Sequence, residues 1–142
     1  MSISAKTEYA CIAVLELAAS FGSGDPVRIK HIADTHGIPS RFLVQILLQL
    51  KGAGLVTSTR GAAGGYQLSK DPAHITLLDV MSVIEGPPLE GQSPATNNTP
   101  HSRLLWRAWK HAAKVHQETL AKITFAALVE KVKGSNESMY YI

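Results

Sequence analysis

The tripeptide Gly37-Ile38-Pro39 limits this chain more than any other segment. Gly37 is suited to end a helix in the left-handed conformation, and Pro39 lacks the amide hydrogen that would carry the helix on. Upstream, residues 28–36 place Ile29, Ile32 and Ala33 at helical spacing. Downstream, Ser40 or Pro39 opens a helix that runs to about Ala53, where Gly54 stops it. Two short helices joined across "HGIPS" read as a helix-turn-helix. An amphipathic helix precedes them over residues 4–21, with Ala10, Ala13, Val14, Leu17, Ala18 and Phe21 on its inner side, and "GSGDP" breaks it.

The helix after Pro39 has two unlike faces. At about 100° per residue, Leu43, Ile46, Leu47 and Leu50 share one arc and are expected in the core. Arg41, Val44, Gln45, Leu48 and Gln49 fall on the other side, which holds no acid. Gln pairs bidentately with adenine, Arg with guanine or phosphate, and Val44 suits a thymine methyl. The competing reading is a plain solvated face, which exposed Val44 and Leu48 would fit poorly.

Polarity then alternates over Val56–Ser58 and Tyr66–Ser69, as in strands, with a wing spanning about residues 56–70. Arg60 and the glycines Gly61, Gly64 and Gly65 form the turn. Each glycine costs roughly 0.5–1 kcal/mol inside a regular element. The expected return is close approach: bare backbone N–H groups against phosphate, with Arg60 entering a minor groove or gripping the backbone. A nucleotide phosphate loop is rejected, because Gly65 is followed by Tyr66 and a strand rather than by Lys-Ser/Thr and a helix. A plain flexible hairpin is the bland alternative. A helix-turn-helix followed by such a hairpin is a winged helix.

Charge agrees with a polyanion partner. Residues 1–70 carry seven Lys/Arg and four Asp/Glu, whereas residues 71–142 carry seven of each, so the whole net charge of +3 lies in the first half. No nucleophile–base pair, carboxylate dyad or phosphate loop stands at useful spacing, so an enzyme is not expected. No stretch reaches the ~20 apolar residues of a membrane span. The start, "MSISAKTEYA", lacks a signal-peptide core, and a cytoplasmic location is expected.

In the second half, Thr76 and Asp79 form a capping box that opens the helix "LLDVMSVIE". Gly86–Ser102 is rich in Pro, Gly, Asn and Ser and reads as a loop. A long helix follows from about Arg103 to Lys122, with Leu105, Ala108, Trp109, Ala112, Val115 and Thr119 in a near-heptad stripe. A second copy of the helix is the simplest cover for that stripe, giving a twofold homodimer on a pseudo-palindromic duplex. "ITFAALVEKV" reads as a short helix capped by Thr124 that packs back on the domain, and residues 135–142 as a loose tail. The expected fold is mainly α with a small β-hairpin wing. A winged helix-turn-helix domain spans 1–86, a flexible loop 87–102, and the dimerisation helix with a short terminal helix 103–134.

The segments "SAKTEYA", "VRIKHIADTHGIPSRFLVQILLQLKGAGLV" and "STRGAAGGYQLSKDPAHITLLDVMSVIEG" resemble the winged-helix bacterial regulators typified by IscR, NsrR and CymR, the Rrf family, type two. The resemblance covers roughly residues 4–86 and continues more faintly through "LLWRAW" and "ITFAALVEK". It implies a dimeric DNA-binding transcription regulator, a repressor by preference. It implies phosphate contacts near Lys6 and Tyr9, major-groove reading by Arg41, Val44 and Gln45, and minor-groove insertion of Arg60. Arg28, Ser40, Gln49, Gly61, Gly64 and Gly65 complete the expected DNA contacts. Val44 departs from the acidic residue common there, so no operator sequence carries over. The alternative function is a winged helix that binds protein rather than DNA.

In many relatives the loop between the halves holds an iron–sulfur cluster on three cysteines. Here the loop has no cysteine; the position resembling the third is Arg103 or Pro100, and that of a histidine ligand Trp106 or Arg103. Glu8 stands where some relatives have an acidic ligand and reads as a helix-surface acid. No cofactor and no metal are expected; His31/His36 and His111/His116 are five apart, about 140° around a helix, so each pair should diverge. Cys11, the single cysteine, is either a small buried residue or an oxidant sensor. A small-molecule or protein effector stays open, with Trp106, Trp109 and the loop beside them as the expected lining of a ligand site.

Overall fold

The computed structural model describes residues 3–87, 89, 91 and 93–140, with side chains through residue 135. Helix α1 (Ala5–Ala19) starts where Ser4 Oγ accepts the Thr7 amide at 3.1 Å. Ala10, Ala13, Val14 and Leu17 are buried along one side, and the two alanines let neighbours approach closely. This helix is the hub: the third, fourth and sixth helices and the second strand all pack on it. The helix ends before Phe21, which lies beyond the cap and is 44% exposed rather than inward-facing.

Helix α2 (Ile29–His36) closes on Gly37 at φ 66°, the left-handed stop that the Gly-x-Pro segment demands. Helix α3 (Ser40–Gly52) follows after three residues and buries Leu43, Ile46, Leu47 and Leu50 completely. Each such side chain contributes about 1.5–3 kcal/mol by leaving water. Strands β1 (Val56–Thr59) and β2 (Gly65–Leu68) pair antiparallel with Val56 opposite Leu68 and Thr59 opposite Gly65. Val56 and Leu68 turn into the core, while Thr57, Ser58 and Thr59 face outward.

Asp71 then caps a 3-10 turn at Pro72–His74, and the Thr76–Asp79 box opens α4 (Leu77–Glu85) with reciprocal hydrogen bonds of 3.2 and 2.9 Å. Helix α5 (Pro100–Leu120) begins earlier than its apolar pattern suggests. Thr99 and Ser102 form a second capping box, and Pro100 occupies the first turn, where its missing N–H costs nothing. Helix α6 (Phe125–Tyr140) returns to the domain. The Phe125 amide donates to Ile75 O at 2.9 Å, the Leu77 amide to Ile123 O at 3.0 Å, and the Phe125 ring is fully buried. Thr124 caps it through the Ala127 amide at 3.1 Å. The helix runs on to Tyr140, so the loose tail expected from residue 135 is helical backbone to that point, and 141–142 lie outside the described residues.

The far ends of the domain are tied by Glu85 at the end of α4. Its Oε1 accepts from Ser4 Oγ and Thr7 Oγ1, both at 2.5 Å, and these hydroxyls hold its carboxyl below the usual range of about 4.5. A lowered carboxylate stabilises the fold above its unfolded pKa and ceases to as pH falls through the folded value. Thermal melts in a pH series should therefore show a loss of stability on acidification below about 4.5 that Glu85→Gln lacks. Parallel acid profiles for the two chains would contradict the assignment.

Candidate nucleic-acid interface

The two helices of the turn motif differ from the rest in their first turns. Ser4, Thr76 and Thr99 cap α1, α4 and α5, but neither Arg28 before α2 nor Pro39 before α3 makes a side-chain cap bond. Neither α2 nor α3 has an acid in its first turn. Uncapped amides and the positive end of the helix dipole are suited to phosphate oxygens. The sequence reading missed this pair; the signal was the absence of Ser, Thr, Asn or Asp at both cap positions.

Arg41, Val44, Gln45, Leu48 and Gln49 are all exposed on α3, with Leu48 at 55% and Val44 at 42%. The Arg41 guanidinium carbon sits 5.0 Å from the Phe42 ring centroid, and that ring lies 6.2 Å from Tyr9 on α1. The stack steadies Arg41 and brings half-buried Tyr9 beside the start of α3. Lys6 lies one turn before Tyr9 on α1, half-buried, and Ser40 is exposed at the first position of α3.

The hairpin stands beside this face. Lys51 Nζ at the end of α3 donates to Ser58 Oγ at 2.7 Å. On the other edge, the Val27 amide donates to Tyr66 O at 2.9 Å and the Tyr66 amide to Val27 O at 2.8 Å, so the residue before Arg28 pairs with β2 as a third, one-bridge strand. Arg60 is exposed at the tip, with no hydrogen bond or ion pair among the described residues.

The glycines need a corrected explanation. A Cβ on Gly64 would lie 2.2 Å from Thr59 O, and one on Gly65 would lie 2.5 Å from Val27 O. Gly64 is buried, and its amide donates to Gly61 O at 3.0 Å. These two positions are required by the chain's own packing rather than by an approaching phosphate. Gly61, exposed at φ 101° with open space around it, is the hairpin glycine free to meet an outside partner.

Two other expectations also change. His36 Nε2 lies 2.7 Å from Glu16 Oε1 and His31 Nε2 3.7 Å from Oε2, so this pair converges on a carboxylate from α1 instead of diverging. Cys11 is half-buried, and burial, with Glu8 adding to it, pushes its thiol up to about 11. The thiolate is the reactive form, so at neutral pH only about one part in ten thousand is reactive. That opposes an oxidant sensor at this position.

A helix-turn-helix with an acid-free outward face, bare helix starts and a protruding basic hairpin defines a winged-helix protein that binds DNA. Comparison with known proteins agrees. The Rrf2 family model, described as "Iron-dependent Transcriptional regulator", matches residues 3–131. The HTH-type transcriptional regulator CymR of Bacillus subtilis is 38% identical over 143 residues, 100% of each chain. The solved structure of CymR, described as the global cysteine regulator of B. subtilis, covers 92% of this chain and 98% of that one, with 37% identity and a TM-score of 0.74. IscR of T. potens covers 95% and 90%, with 32% identity and a TM-score of 0.78. The chain belongs to the Rrf2 family and is a DNA-binding transcription regulator. Its fold is the winged helix of these structures, and among the described residues no helix is long and apolar enough to cross a membrane.

A thiolate-held iron–sulfur cluster does not fit the donors here. The sole cysteine, Cys11, faces the core with its thiolate disfavoured, and the segment between α4 and α5 contains none. Alkylation by iodoacetamide measures that thiol directly. Near pH 7.5 the native chain should react about 100-fold more slowly than an unhindered thiol, with a rate that climbs as pH approaches 11. Fast labelling at neutral pH would contradict the burial argument.

Proposed function

We propose that the chain acts as a homodimer that represses transcription by straddling a pseudo-palindromic operator in the bacterial cytoplasm. Arg41, Val44, Gln45 and Gln49 read base edges in the major groove, Leu48 adds an apolar contact, and Arg60 enters the neighbouring minor groove with Gly61 at its side. Lys6, Tyr9, Arg28 and Ser40 meet phosphates that set the register. The observation that carries this reading is the unpaired, exposed Arg60 held beside an α3 face without carboxylates.

Dimerisation is supported by α5. Leu105, Trp109 and Val115 are 57%, 58% and 48% exposed, Ala108 and Ala112 are exposed with them, and the helix buries no residue within its own chain. A contiguous apolar stripe of this kind marks an association surface. The protein regulates without an iron–sulfur cluster, because the thiolates for one are missing.

Fluorescence anisotropy with duplex DNA in a salt series tests the interface. Affinity should fall steeply with salt. Arg60→Ala should weaken every duplex alike and lower the salt slope by about one, whereas Gln45→Ala should cost about 1–3 kcal/mol of discrimination at one or two base pairs. A flat salt response, or full affinity in both variants, would point instead to a protein partner on the Val44–Leu48 face.

A further inference from the structure

Helix α5 carries a second feature that DNA binding does not use. Arg103, Arg107, Lys110 and Lys114 fall within about 60° of one another around the helix. They form a ridge about 16 Å long at the helical rise per residue. Like charges at this spacing repel. Among the described residues no ion pair engages them; Glu118, the sole acid in α5, follows Lys114 by one turn on the same side of the helix. Exposed cations that make no ion pair among the described residues offer an anion a row of charged donors.

The ridge is one wall of a groove of about 850 Å³. Trp106 Nε1 donates to Gly91 O at 2.9 Å, which pins the loop after α4 over the helix. Arg103 Nη1 donates to Asn98 Oδ1 at 3.0 Å and Asn98 O at 3.2 Å, closing one end. Leu89, Trp106 and Ala113 supply apolar wall, while Arg107, Lys110 and Lys114 supply charge. The described lining contains no carboxylate. The volume lies in the range of small-ligand sites, which is about 300–1,000 Å³.

Two placements separate this groove from the surfaces already described. None of its lining residues comes from α2, α3 or the hairpin. The ridge also lies about 180° around α5 from the Leu105–Ala112 stripe, so pairing through that stripe leaves the groove open. The site is an open-sided groove walled by α5 and the loop after α4, of a size that suits a small molecule. We infer that the α5 groove is an effector site for a small organic anion bearing carboxylate or phosphate groups, held by Arg107, Lys110 and Lys114 with its carbon skeleton against Trp106. It goes beyond the DNA-binding reading and does not depend on it.

The test uses the full chain with citrate and glycerol 3-phosphate as probes and glycerol as the neutral control. Ionic strength is held constant with KCl, and binding is followed by tryptophan fluorescence and calorimetry. The expected result is saturable binding of at least one anion and none of glycerol; the responding probe tells carboxylate from phosphate. The double variant Arg107→Gln/Lys110→Gln should bind about tenfold more weakly or worse, and Lys114→Gln, as an independent variant, should weaken binding in the same direction. Both should keep wild-type helix content by circular dichroism and duplex affinity within about twofold of wild type. Absence of saturable binding to both anions would overturn the inference, as would binding unaffected by all three substitutions. Loss of duplex affinity in the double variant would also overturn it, because the ridge would then belong to the DNA surface.

Discussion

The site depends on two backbone hydrogen bonds between Val27 and Tyr66, at 2.9 and 2.8 Å. A two-stranded hairpin is at best marginally stable in water. Here its outer edge is paired to the residue that leads into α2, and Lys51 of α3 binds Ser58 on its other strand. The hairpin is therefore fixed to both helices of the turn motif at once. Arg60 and the exposed face of α3 are held in one frame, and a duplex can meet both without ordering a loose arm. That pre-organisation keeps the entropic cost of binding low.

The same constraint explains the glycines. Side chains at Gly64 and Gly65 would collide with Thr59 O and Val27 O, so both positions serve to bring backbones together. At the tip, Arg60 and Gly61 are exposed and free of such constraints. A second backbone junction does the equivalent work at the opposite side of the domain. Ile75 and Leu77 bond to Phe125 and Ile123, so α6 closes over the core while α5 projects with its apolar stripe uncovered. Under the proposed function, one chain presents a DNA-reading face built on α3 and an apolar association face built on α5.

What was legible in the sequence was what depends on local rules. Gly37-Ile38-Pro39 read as the joint between two helices, and the helical period of Leu43, Ile46, Leu47 and Leu50 fixed which side of α3 faces outward. The Thr76–Asp79 box marked the start of α4 for the same reason. What was not legible depends on residues distant in sequence. The purpose of Gly65 lies with Val27, and the meeting of His31 and His36 depends on Glu16 in another helix. Helical angles on α2 alone could not reveal it. The start of α5 was placed late because Thr99 and Ser102 cap it ahead of its apolar pattern. The cationic ridge was visible as residues, but the loop that roofs it was not.

Hydrogen–deuterium exchange of the full chain, with and without an operator-containing duplex, tests the central claim most directly. Simultaneous protection of the amides at the start of α3 and at the hairpin tip around Arg60, with the rest of the domain unchanged, is the predicted result. Protection at only one of these places, or at neither while the duplex is bound, would contradict a rigid two-part reading head.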